Sequence, residues 1–312
     1  MERVHVVFIL LGILSWLLGA ASSRCQRNVI RGVPRRLILG GGGGFSPLPH
    51  VRLEAHREGE TALPADKKVI VTMPAYKAAR TLEKTLHDLP RESIDGLILV
   101  DDASPDDTVE VARRLGIHTI EHSENRGYGG NQKTCYDTAL AHGADVVVLL
   151  HPDYQYDPKM VTDLVAPIVS GEADFTFGSR FRRHWRDPLK GGMPLYRWIG
   201  NRITTFVENM VLGTKFTEMH SGFKAYNRYL LKNVPYHSYS DGFVFDSQML
   251  VDAVLARHFR IHEVAIPTRY TEESSSASIY NSIRYVLLTV IYALRGRFRR
   301  QPRGQVEPRP ES

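Results

Sequence analysis

"VVVLLHPDYQYDP", residues 146 to 158, begins as five apolar residues suited to a buried strand and then turns abruptly polar. Asp153, Gln155 and Asp157 follow at alternate positions with His151 just ahead, so a core strand ends by offering oxygen-bearing side chains. The same kind of run recurs on both sides. "VIVTM" (69–73), "LILV" (97–100) and "DFTFGS" (174–179) are short and rich in apolar, β-branched or aromatic residues, and "IHTIE" (117–121) reads as a further strand. Helical patterning lies between them: Ala78 to Leu89, a stretch N-capped by Ser104 with Pro105 at its first position, "NRGYGGN" leading to about Ala141, and a stretch starting at Pro158. Strands that alternate with helices predict an α/β fold with a mostly parallel sheet and right-handed crossovers. Such sheets bind ligands outside the carboxyl ends of their strands. Three places are thereby selected, after Met73, after Val100 and after Leu150.

The composition narrows the class. The chain has 312 residues, two cysteines and a formal charge of +6. Residues 24–60 hold seven Arg and three Glu, and residues 295–312 hold six Arg and two Glu. Each flank is therefore +4, which leaves residues 61–294 at −2. An enzyme of nucleic acids places a positive face on its folded core, and the distribution argues against such a partner. Arginine-rich flanks suit an anionic membrane surface or simply solvated tails. Cys25 and Cys135 form neither a CxxC nor a Cys/His metal spacing, which fits a reducing compartment.

Val4 to Ala21 is nearly all apolar and about 27 Å long as a helix. It reads as a cleaved signal peptide or as an anchor. The arginines that follow it favour an anchor with the rest of the chain cytoplasmic. The predicted organisation is an apolar segment (1–23), a Gly/Pro/Arg-rich linker (24–65), a catalytic domain (66–296) and a basic tail (297–312). "SIRYVLLTVIYALRGRFRR" has about ten consecutive apolar residues, too few to span a bilayer but enough for a buried or interfacial amphipathic helix.

At the selected strand ends stand "TMPAY", "VDDAS" and "HPDYQYD". Carboxylates gathered there lose hydration and repel one another unless they bind donors or positive charge. A divalent cation carrying a diphosphate suits Asp153, whereas Asp101 or Asp102 suits the hydrogen-bond donors of a base or ribose. The N–H groups of "NRGYGGN", Gly129 among them, could face an anion. The segment is neither a GxxxxGK[ST] loop nor a GxGxxG fingerprint.

Together, "VTMPAYKAARTL", "LILVDDASPDDT", "NRGYGGNQ", "HPDYQYDP", "FGSRF", "HSGFKAY" and "DGFVFD" resemble the family 2 glycosyltransferases of the GT-A fold, in particular the dolichol-phosphate mannose synthase branch. The resemblance runs from about Lys68 to about Leu294. It implies that Pro74, Ala75, Tyr76, Asp101 and Asp102 hold the nucleotide. Asp153 and Gln155 would contact Mg²⁺ or Mn²⁺ and the diphosphate, and Arg180 would neutralise phosphate charge. The sequence departs from the family pattern at His151 (an acid), Lys77 (Asn), Glu218 (Asp) and Gln248 (an acid).

The acceptor divides the functional readings. A hydroxyl acceptor needs a general base, for which Asp246 and Glu218 are the candidates. A phosphate acceptor needs only cations, for which Arg182, Arg183, Arg186, Lys190 and Arg269 are available. The expected activity is inverting transfer of a hexose from a GDP- or UDP-sugar to a polyprenyl phosphate at the cytoplasmic membrane face. The alternatives are a glycan or other hydroxyl acceptor, and a silent nucleotide-sugar-binding module.

Overall fold

The computed structural model describes residues 67–267, Tyr270 and residues 279–298. The apolar segment 1–23, the linker 24–65, Arg269 and the tail beyond residue 298 lie outside the described residues. Seven strands form one sheet: β1 (Val69–Ala75), β2 (Gly96–Asp101), β3 (His118–Glu121), β4 (Val146–Leu149), β5 (Phe175–Ser179), β6 (Lys224–Asn227) and β7 (Ile261–Ala265). Their order is β3-β2-β1-β4-β6-β5-β7, and every neighbouring pair is parallel except the two that β6 makes with β4 and β5. The mostly parallel α/β sheet expected from the sequence is present.

Helices α1 (Leu82–His87), α2 (Thr108–Arg114), α3 (Gly127–Ala141) and α4 (Val161–Val169) connect the first five strands. Then come α5 (Asp187–Lys190), α6 (Leu195–Leu212), α7 (Arg228–Asn233), α8 (Phe245–Ala256) and α9 (Ile279–Phe298). Alternation along β1 divides the core. Val69, Val71 and Met73 join the cluster under α1, α2 and α4, and Ile70 joins the one under α3 and α8. Both faces are covered, which is why these strands read as unbroken apolar runs.

Two strands escaped the sequence reading. β6 opens on a lysine and β7 contains His262 and Glu263, so neither shows an apolar run. The helix expected from Ser104 begins only at Thr108, because Ser104 accepts a hydrogen bond from the Lys77 N–H (2.9 Å) and so stays in a turn. Asp157 does start the next helical segment, accepting from the Lys159 N–H at 3.1 Å. Of the C-terminal stretch, α9 lays Thr289 and Ala293 against α8, with Thr289 bonded to Ser247. Among the described residues, no helix is long and apolar enough to cross a membrane.

Because β4, β5 and β7 run parallel to one another, their carboxyl ends share one edge with those of β1 and β2. The start of α3 is clamped to that edge. Gly129 donates to the Asp241 carbonyl at 2.7 Å, and a Cβ there would stand 2.3 Å from the Ser240 oxygen and 2.8 Å from the Phe245 Cβ. Gly129→Ala should therefore destabilise the protein by about 3 kcal/mol in urea unfolding. Gly200→Ala, where the added carbon meets nothing within 4 Å, should be neutral or stabilising in the same assay.

Candidate active site

β1 lies between β2 and β4, with Ala75 opposite Asp101 and Thr72 opposite Leu149. At about 4.8 Å per strand, the tips of β2 and β4 are roughly 10 Å apart. Asp101, Asp102, His151 and Asp153 thus border one region, with the exposed ring of Tyr76 at the end of β1. Pro74 and Ala75 are buried within β1, so they shape this edge through their backbone.

The two acids ending β2 have different tasks. Asp102 accepts from the N–H groups of Arg126 (2.8 Å) and Gly127 (2.9 Å) and from His122 Nδ1 (2.7 Å). Gly129 and Gly130 both donate to the Asp241 carbonyl. These contacts give Asp102 and the Gly129 N–H partners within the protein, where the sequence reading expected a nucleotide. Donors at a helix start need acceptors, and here the protein supplies its own. Asp101 differs: Oδ2 accepts from the Ser104 N–H at 2.8 Å, while Oδ1 is buried and has no partner among the described residues. A buried lone acceptor at a strand end suits a donor from a base or ribose.

Glu218 and Arg180, expected to act as a base and a phosphate ligand, are paired with each other. Glu218 is fully buried and accepts from the Arg180 N–H (2.7 Å), from its Nε (2.8 Å) and Nη2, and from Asn201 (2.9 Å). The remaining nitrogen of Arg180 donates to the Tyr270 hydroxyl at 2.9 Å. Oriented on each other, they form a buried ion pair that fixes the end of β5. Burial opposes the Arg180 charge, but the adjacent Glu218 carboxylate outweighs it and holds that guanidinium well above its ordinary pKa.

Asp246 is the centre of a second network. Its Oδ2 accepts from the Tyr128 hydroxyl at 2.7 Å, and Oδ1 is 3.2 Å from the ammonium of Lys224, itself only 1% exposed. Tyr128 oxygen lies 3.1 Å from His151 Nε2, the two rings stacked at 5.4 Å. Burial raises the Tyr128 phenol far above its usual pKa, so it stays a donor to Asp246. Its oxygen must then accept from His151 Nε2–H. Burial also lowers the His151 pKa, more than the nearby Asp153 and Asp246 raise it. The neutral ring consequently carries its lone pair on Nδ1.

Asp153 accepts from the Gln155 N–H through Oδ1 (3.0 Å) and has no partner among the described residues at Oδ2. That carboxylate, the Gln155 amide and the His151 lone pair are ligand types that a divalent cation accepts, and the imidazole suits manganese better than magnesium. Among the described residues no three His, Cys, Asp or Glu side chains converge as a metal cage. With one carboxylate, one amide and one imidazole, the donor set fits a cation that would take its other ligands from diphosphate oxygens and water. Arg182, exposed and 3.6 Å from Glu263, and the exposed Arg183 follow β5 at the same edge. Arg269 lies outside the described residues.

A profile described as glycosyl transferase family 2 matches residues 70–234. The chain belongs to glycosyl transferase family 2. An uncharacterised protein of Methanocaldococcus jannaschii is 31% identical over 67% of this chain and 84% of its own length. The UDP-N-acetylglucosamine–dolichyl-phosphate N-acetylglucosaminyltransferase of Methanococcus voltae is 27% identical over 67% and 89%. In three dimensions the glycosyltransferase is similar to glucosyl-3-phosphoglycerate synthase from Mycobacterium tuberculosis, solved with UDP, at a TM-score of 0.59 and 21% identity over 77% and 86% of the two chains. That synthase has also been solved with Mn²⁺, UDP and glucosyl-3-phosphoglycerate, and with Mg²⁺ and UDP.

Tyr128, Lys224 and His122 were missed by the sequence reading, although "NRGYGGNQ" and "HSGFKAY" contain the first two. Two outcomes separate structural from ligand roles. Asp102→Ala should lower stability by about 2 kcal/mol in denaturant unfolding, because buried donors lose their acceptor. Glu218→Gln should cost about 3 kcal/mol by leaving the Arg180 charge buried and uncompensated.

Proposed function

We propose that this glycosyltransferase passes a hexose, with inversion, from a nucleotide-diphosphate sugar to a polyprenyl phosphate at the cytoplasmic face of a membrane. The observation that carries the reading is the fate of the two carboxylates a hydroxyl acceptor would need. Glu218 is saturated by Arg180 and Asn201, and Asp246 is held between Tyr128 and Lys224. A phosphate acceptor is already an anion and needs no proton removed. One of its oxygens bonds to the anomeric carbon as the bond from that carbon to the donor's diphosphate breaks, and the nucleotide diphosphate leaves.

Asp153, Gln155 and His151 would hold Mn²⁺ or Mg²⁺, which when bound neutralises the departing diphosphate. The orphaned Asp101 oxygen would accept from the nucleoside, and the open Tyr76 ring would lie against its base. Arg182 and Arg183 supply positive charge for the acceptor phosphate. The dolichyl-phosphate acceptor in the name of the Methanococcus relative and the Mn²⁺, Mg²⁺ and UDP of the solved synthase support these assignments.

Membranes containing the full chain, incubated with labelled UDP- and GDP-hexoses and polyprenyl phosphate, should transfer label to the lipid fraction. Asp153→Ala should reduce that transfer by at least about a hundredfold. Labelling of hydroxyl acceptors alone, or an Asp153→Ala rate equal to wild type, would overturn the reading.

A further inference from the structure

Helix α6 is amphipathic in the reverse sense. Its inward face is mostly polar: Thr204, Thr205 and Glu208 are buried with a single leucine, Leu212, at the C-terminal end, and Asn201 reaches the Glu218 carboxylate. Its outward face carries Leu195, Tyr196, Ile199, Ile203, Phe206 and Met210, each between 43% and 61% exposed. Steps of three or four residues set these side chains within about 100° of arc. A surface helix of a water-soluble domain turns its apolar stripe to the core. This one points it away.

The border of the stripe shows what covers it. Residues 182–202 carry five Arg and one Lys against the single acid Asp187, whereas residues 61–294 as a whole are −2. Arg183, Lys190 and Arg202 are exposed, and Arg186 lies 4.4 Å over the ring of Trp185. Trp185 is itself exposed and packs on Trp198 of α6 at 5.7 Å. An apolar stripe rimmed by arginine, lysine and tryptophan matches the boundary between acyl chains and anionic headgroups.

We propose that the outward face of α6 lies in the surface of an anionic bilayer, buried to headgroup depth. This deepens the reading of a lipid-borne acceptor and rests on it. The docking element is then α6 with the 182–190 segment, and the C-terminal helix α9, packed on α8 through Thr289 and Ala293, need not supply it.

The test uses the full chain with Trp16→Phe, so that emission comes from Trp185 and Trp198 alone. Vesicles of phosphatidylglycerol mixed with brominated phosphatidylcholine should quench this emission, and vesicles without the anionic lipid should quench it several-fold less. Ile199→Asp with Phe206→Asp should weaken the quenching titration at least about tenfold, while far-UV circular dichroism and UDP binding stay unchanged. Asp153→Ala should quench like its parent, so a failure of the transfer assay with quenching intact removes the acceptor reading and leaves the docking surface. The absence of quenching, or quenching indifferent to the double variant, would overturn the proposal. So would a dimer, or a cross-link from residues 1–23 to Phe206→Cys, that accounts for cover of the stripe without vesicles.

Discussion

A lysine ammonium fixed in the middle of a sheet must be neutralised where it stands, and Lys224 meets that demand with Asp246 at 3.2 Å. Desolvation lowers the Lys224 pKa, and the carboxylate opposes that drift. The pair exists only because β6 enters antiparallel between β4 and β5, which sets Lys224 beside Leu149 where β4 ends. From Asp246 the order passes to Tyr128 at the start of α3 and on to His151 after β4. Four separated segments are thereby held in one register. Such a pair contributes little net stability against an apolar replacement of equal volume. Its effect is to allow one arrangement of the edge and to oppose the others.

The same network accounts for a departure from the family pattern. With His151 in the place of an acid, the edge has one negative charge fewer, while Lys224 and Asp246 cancel one another. An acid at residue 151 would face Asp246 across Tyr128 and add repulsion to a region already short of water. The imidazole avoids that cost, because Tyr128 takes its one N–H and leaves a neutral lone pair. Gly222 keeps the space: a Cβ there would come within 3.0 Å of the ring, and the Gly222 N–H is bound by Tyr156 at 2.9 Å.

Legibility followed from how local each signal was. The five strand segments, the acids that follow "LILV" and "VVVLL" and the Asp157 cap are encoded within a few residues, and the structure carries all of them. Asp101 and Asp102 are adjacent and chemically equal in sequence. What separates them is His122 and the start of α3, both beyond the next helix and strand, where spacing has no rule. Arg180 and Glu218 have the whole of α5 and α6 between them, so the sequence suggests a phosphate ligand and a base where one buried pair stands. β6 was hidden because only Ala225 and Tyr226 of its four residues are apolar, and β7 because His262 and Glu263 stand together in its middle, even though each is paired into the sheet. α6 went unread in the sequence: its apolar residues do recur every three or four, but the face that turns inward is decided by Asn201 and Glu208 finding partners.

That last point joins the proposed membrane face to the chemistry. Asn201 donates to Glu218, which holds Arg180 at the end of β5, and Glu208 faces His220 at 3.1 Å just before the "SGF" turn that packs on His151. The polar side of α6 is therefore welded to the sheet edge while its apolar side is presented outward. A helix about 27 Å long at 1.5 Å per residue lies flat far more readily than it tips when its whole stripe is apolar. A lipid-linked phosphate occupies the headgroup layer by its own partition. On the proposed reading, fixing α6 in that layer would set the height of Arg182 and Arg183 relative to it, and a lipid-linked acceptor would meet the edge by diffusing in two dimensions without leaving the bilayer.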